Sequence, residues 1–91
     1  MKDRIMGKRE YEYLAIFCKE PEEVEISAVF PDLECATSGV DKEDAYESAE
    51  ELLQGVIEGM LEDQERIPQA RSIHDIQLEE NEWAEMIGIK I

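Results

Sequence analysis

Ninety-one residues with 43% apolar side chains are one domain's worth of chain, able to bury about 60–70% of its unfolded surface around one core. The net charge of −15 argues against direct binding to nucleic acid, whose phosphates such a surface repels, and against anionic membranes. It favours a basic protein partner, unless the charge serves solubility alone. The expected unit is a single domain over residues 1–91.

The first ten residues carry Lys2, Arg4, Lys8 and Arg9 against Asp3 and Glu10, a mildly basic stretch that is either a frayed leader or the opening of the first strand. It holds no apolar signal core, and the longest purely apolar run, residues 14–18, is far short of the ~20 needed to span a bilayer. The cytoplasm is therefore the expected compartment. Residues 11–19 are aromatic, branched or small and read as a strand. Tyr11, Tyr13, Ala15 and Phe17 alternate with Leu14, Ile16 and Cys18, so both faces are apolar and a strand covered on both sides is expected. A polar turn at residues 20–23 leads to a second strand over 24–30, with Ile26, Ala28 and Phe30 on one face. Pro31 stops the pairing, and residues 33–37 read as a short third strand. The connections are too short for parallel crossovers, which predicts an antiparallel meander.

Asp41 is a good helix N-cap, with Asp44 three residues on as a weak capping box. Helical spacing runs to about residue 63, roughly 33 Å. At ~100° per residue, Ala45, Ala49, Leu52, Val56 and Met60 form a stripe expected to face the sheet. Tyr46, Leu53, Ile57 and Leu61 form a second apolar ridge beside it, with Leu53, Ile57 and Leu61 as candidates for self-association. Glu47, Glu51, Glu58 and Glu62 line the opposite face, either as a solvated surface or as a docking surface for a basic partner. Gly55 and Gly59 cost about 1 kcal/mol each relative to Ala, which predicts a close approach there by a strand or a neighbouring chain. Glu62 and Asp63 oppose the helix dipole unless a cation such as Arg66 sits close by.

Ile67-Pro68 ends the helical region. Ser72 and Asp75 suit a short turn, with Ile73, Ile76 and Leu78 placed to cover the second ridge. Residues 83–91 alternate through Trp83, Ile87, Ile89 and Ile91 as a last strand, expected to return parallel to an earlier one by a right-handed crossover. The plan is α+β, in the order βββαβ.

Little in the sequence supports catalysis. His74 is the sole histidine and has no HxxxH partner. Cys18 and Cys35 lack a CxxC spacing and read as reduced, buried hydrophobes. Ser27, Ser38, Ser48 and Ser72 lie in no nucleophile elbow, and nothing in the spacing of Glu12, Glu25, Asp32 and Glu85 demands convergence on a metal. No cofactor, metal site or catalytic residue is expected.

The series Phe30-Pro31-Asp32-Leu33-Glu34-Cys35-Ala36-Thr37-Ser38-Gly39, followed by Asp41, Glu43-Asp44-Ala45, Ser48-Ala49 and Ile67-Pro68, resembles the HicB family of antitoxins. Those proteins carry FPDLPGC-x-T-x-G, an N-cap, E-E-A-x-x-N-A opening the long helix, and I-P at its end. Here the single residue Glu34 replaces the family's Pro-Gly, so a tighter turn is expected; Ser48 replaces Asn and Val40 replaces Asp. The resemblance implies that Phe30, Pro31, Asp32, Cys35, Thr37, Gly39, Ala45, Ala49 and Pro68 are framework positions. It also implies a partial ribonuclease H-like fold, without the DNA-binding domain that follows in full-length members. The implied activity is non-catalytic: binding and masking a HicA-type toxin, a small basic ribonuclease. The alternative is a stand-alone homo-oligomeric scaffold or regulatory module with no toxin.

Overall fold

The computed structural model describes residues 9–70 and 76–91. Its elements are β1 (Glu10–Cys18), β2 (Ile26–Phe30), β3 (Cys35–Gly39), α1 (Lys42–Glu62) and β4 (Glu82–Lys90), the expected βββαβ order. They form one sheet in the order β3-β2-β1-β4, with every neighbouring pair antiparallel. The expected parallel return of the last strand is thus corrected. The connection over residues 63–81 is long enough to reach the far end of β1, and β4 begins beside Cys18 and runs antiparallel to β1.

Strand boundaries differ from the sequence reading by one or two residues. Val24 is 76% exposed and lies outside β2. β3 begins at Cys35 rather than at residue 33, because the β2–β3 turn takes Leu33 and Glu34. Phe30 pairs with Cys35 across four turn residues. Pro31 presets φ for the first turn position, the Leu33 and Glu34 N–H groups both donate to the Phe30 carbonyl, and Leu33 folds back into the core. Glu34 has φ 54°. The tighter turn therefore places Glu34 in the left-handed conformation that glycine adopts most cheaply.

The core lies between one sheet face and α1. Tyr13, Ala15 and Phe17 of β1, Ile26, Ala28 and Phe30 of β2, and Ile87 and Ile89 of β4 meet Ala45, Ala49, Leu53 and Ile57 of the helix. Phe17 stacks on Trp83 and tilts against Tyr46, with ring centroids 5.7 Å and 4.6 Å apart. The opposite sheet face carries Leu14, Ile16, Val29, Ala84 and Met86 in register. The cover expected on both faces of β1 is complete at Leu14, which is fully buried, and partial at Ile16 and Cys18, which are half-buried, while Val29 and Met86 on the neighbouring strands are exposed.

Candidate partner-binding surface

The helix begins with reciprocal side-chain bonds. The Asp44 N–H donates to the Asp41 carboxylate at 2.8 Å, and the Val40 N–H donates to Asp44 Oδ2 at 3.0 Å. One of the donors that a helix start leaves unsatisfied, the Asp44 N–H, is thereby used, and the Val40 N–H just before the cap is held as well. Gly39 fixes the approach of this end to the sheet. A Cβ there would lie 2.3 Å from Ala45 N and 2.6 Å from Ala45 Cα. Backbone occupies that space, which accounts physically for the Gly39–Ala45 part of the motif.

The buried line along α1 is Ala45, Ala49, Leu53 and Ile57, an i, i+4 row rather than a stripe parallel to the axis. Such rows incline to the helix axis, so the residue facing the sheet rotates along the helix as it crosses the twisted strands. Leu52, Val56 and Met60 flank the core instead of filling it. The proposed self-association ridge is corrected for the same reason. Leu53 and Ile57 are both 0% exposed against the sheet, and only Leu61, at 37%, reaches the surface. Of the residues expected to cover that ridge, Leu78 is exposed and Ile76 half-buried, and Ile73 lies outside the described residues with Ser72, His74 and Asp75; Ile67 and Ala70 after the helix pack against the core instead.

Glu47, Glu51, Glu58 and Glu62 are all exposed on the face of α1 away from the sheet, with Glu43 and Glu50 beside them. The line from Glu47 to Glu62 is roughly 22 Å long. Gln54 Nε2 donates to Glu58 Oε2 at 3.3 Å. Lys42 is the only base in the helix, and its ammonium sits over the Trp83 ring, 5.2 Å from the centroid. That cation is drawn towards the sheet, away from the acidic line.

Gly55 and Gly59 have nothing within 4 Å of a built Cβ, so no strand approaches them as expected. They line an open groove with Glu58, Leu61, Glu62 and Ile91. The contribution of Ile91 to this rim could not be seen in the sequence, because it depends on where β4 ends beneath the helix.

The remaining motif residues build the framework. Phe30, Ala45 and Ala49 are fully buried. Thr37 pairs with Ala28. The Tyr13 hydroxyl donates to the Pro68 carbonyl, tying the segment after the helix to β1. Burial raises the Tyr13 pKa above its ordinary 10.0, and the nearby Asp32 and Tyr11 raise it further. Burial also raises Tyr46, as does donation of its hydroxyl to Glu85, against the opposing Trp83 hydrogen bond.

Both cysteines are free and half-buried, so the expectation of full burial is corrected. Burial raises both thiols, and the bond from Cys18 to Glu20 raises Cys18 further. A raised pKa works against thiolate nucleophilicity. Glu12 pairs with Gly88 on the open sheet face, whereas Glu85 pairs with Ala15 on the helix face, so these two carboxylates cannot converge. Among the described residues no three of His, Cys, Asp and Glu form a group able to hold a metal ion, and no helix is long and apolar enough to cross a membrane.

Fold and surface together define a small acidic α+β domain in which one helix shields the sheet and presents carboxylates outward. Residues 13–91 match the family model described as HicB_like antitoxin of bacterial toxin-antitoxin system, and the chain belongs to that family. Comparisons with curated proteins and with solved structures returned no significant match.

Proposed function

We propose that this domain neutralises a basic HicA-type ribonuclease toxin in the cytoplasm by covering its RNA-gripping surface, with no chemical step of its own. The observation that carries this reading is the exposed line Glu47, Glu51, Glu58 and Glu62, on a helix whose single base points elsewhere. A ribonuclease holds phosphates with cationic groups, and a rigid row of carboxylates competes for those groups. Masking needs only complementary charge and shape, so no residue of the inhibitor has to react. By the same electrostatics this chain alone does not bind DNA.

The test is association with the product of a toxin-sized basic reading frame beside this gene. Reversing all four glutamates to lysine should lower the on-rate at low salt by roughly 10-fold or more and flatten its salt dependence. An unchanged on-rate would remove this helix face as the docking surface. The scaffold alternative draws its support from the outer edge of β4, unpaired among the described residues, and predicts that no such neighbouring toxin exists.

A further inference from the structure

We propose that β4 pairs antiparallel with β4 of a second copy of this chain, about a two-fold axis through Met86. This inference is independent of the toxin reading and requires only the purified chain.

Among the described residues β4 is an edge strand of nine residues, paired on one side only. The ladder with β1 fixes which of its backbone groups are used. Arg9 and Ile91 exchange both N–H···O bonds at 2.8 Å, and Lys19 N–H donates to the Asn81 carbonyl at 3.1 Å. In that register the hydrogen-bonded positions of β4 are the odd-numbered ones. The N–H and C=O groups of Ala84, Met86, Gly88 and Lys90 therefore point outward, as does the Glu82 C=O, while the Glu82 N–H already donates to the Glu79 carbonyl at 3.1 Å. A long edge with free backbone groups is a template for strand addition.

The sequence of this edge is self-complementary. Placing Met86 opposite its own copy sets Ala84 against Gly88 and Glu82 against Lys90, and the two-fold repeats both pairings. Met86 and the two Ala84–Gly88 pairings then fall in hydrogen-bonded pairs, and at each end of the seam Glu82, its N–H held by Glu79, faces Lys90 with opposite charge. Glu82 uses Oε1 to accept the Glu79 N–H at 2.8 Å, leaving its second oxygen for Lys90 of the other copy. Ala84 is small, which leaves space beside it on the open sheet face for the two Met86 side chains to meet, whereas the Glu12 side chain lies across Gly88, 3.3 Å from where a Cβ would stand. Met86 is 42% exposed in the single chain, and this contact would cover it. A two-residue slip in either direction takes Glu82 away from Lys90. A one-residue slip opposes outward groups to inward ones. One register is thus preferred. The net charge of −15 per copy opposes association, but screening within about 8 Å at physiological salt limits the repulsion between distant surfaces. Of the acidic helix line, Glu58 and Glu62 share a groove with Ile91 at the end of β4, and screening limits their repulsion as well.

Sedimentation equilibrium of the full chain at high micromolar concentration tests the proposal, and the wild type should be a dimer. Met86→Pro removes an outward N–H and leaves the β1 ladder intact, so it should give a folded monomer by circular dichroism. Lys90→Glu should weaken the dimer roughly 10-fold by opposing two like-charged pairs, and adding Glu82→Lys should recover most of that loss. A monomeric wild type overturns the proposal, as does a folded Met86→Pro variant that dimerises with unchanged affinity. If Met86→Pro does not fold, unchanged dimer affinity in Lys90→Glu overturns it instead.

Discussion

The two ends of α1 are built on opposite principles. At the start, Asp41 and Asp44 satisfy backbone donors with acceptors, and acidic Glu43 and Asp44 sit in the first turn where the dipole favours negative charge. At the finish, the Glu65 N–H donates to the Met60 carbonyl and the Gln64 N–H to the Leu61 carbonyl. This is a Schellman closure with Gln64 at φ 59° in the position usually taken by glycine. No base lies in the last turn, while Glu58, Glu62 and Asp63 crowd the negative pole. The first end carries charge that helps the helix, and the second carries charge that opposes it. Carboxylates kept against local stability support the reading that this end serves a contact outside the chain.

The largest expected effect lies at the first end. Gly39→Ala would drive a Cβ to within 2.3 Å of Ala45 N, and neither backbone can yield cheaply. A loss of about 3 kcal/mol is expected in urea denaturation. A change near zero would show that the helix start shifts freely and that the motif glycine has another role. Next is Asp41→Ala, which removes the 2.8 Å cap bond to Asp44 N and should cost about 1 kcal/mol. If the variant keeps full stability, the backbone and the Asp44–Val40 bond set this end without the cap.

These two sites were unequally visible in the sequence. Asp41 was readable because a cap is a local feature: an acceptor side chain before a helical period. Gly39 was identified through the motif, but its physical reason, the 2.3 Å approach to Ala45, required the structure. The element order was legible for the same local reason as the cap, since each element carries its own periodicity. The direction of β4 was not legible, because it depends on how the chain after Pro68 travels. The acidic line was legible, since exposure on a helix repeats with the turn. The apolar side was misassigned because a straight 100° stripe ignores sheet twist, which moved Leu53 and Ile57 into the core and Leu52, Val56 and Met60 to its margin.

At the second end the expected changes are gains. Gln64 holds a left-handed backbone that an L side chain adopts at a cost of about 1–2 kcal/mol. Glycine removes that cost but adds freedom to the unfolded chain. Gln64→Gly should therefore stabilise the domain by about 0.5–1 kcal/mol, seen as a higher midpoint in thermal unfolding. Destabilisation instead would mean that the Gln64 side chain makes a contact that outweighs the backbone term.

The smallest effect separates folding from function most directly. Glu62→Lys replaces a charge that opposes the dipole with one that favours it, next to the C-cap Asp63. The free domain should gain about 0.3–1 kcal/mol, more at low salt than at high salt. If the carboxylates at this end serve the partner, the same variant should associate more slowly with the proposed toxin, and stability and binding should move in opposite directions. Glu62 is fully outside the core, so repacking cannot produce that opposition. Thermal unfolding and stopped-flow association on one protein preparation give both numbers. A variant that is stabilised and binds with an unchanged on-rate would show that the unfavourable charge at this end of the helix is not retained for docking. The contact surface would then have to be sought nearer Glu47 and Glu51.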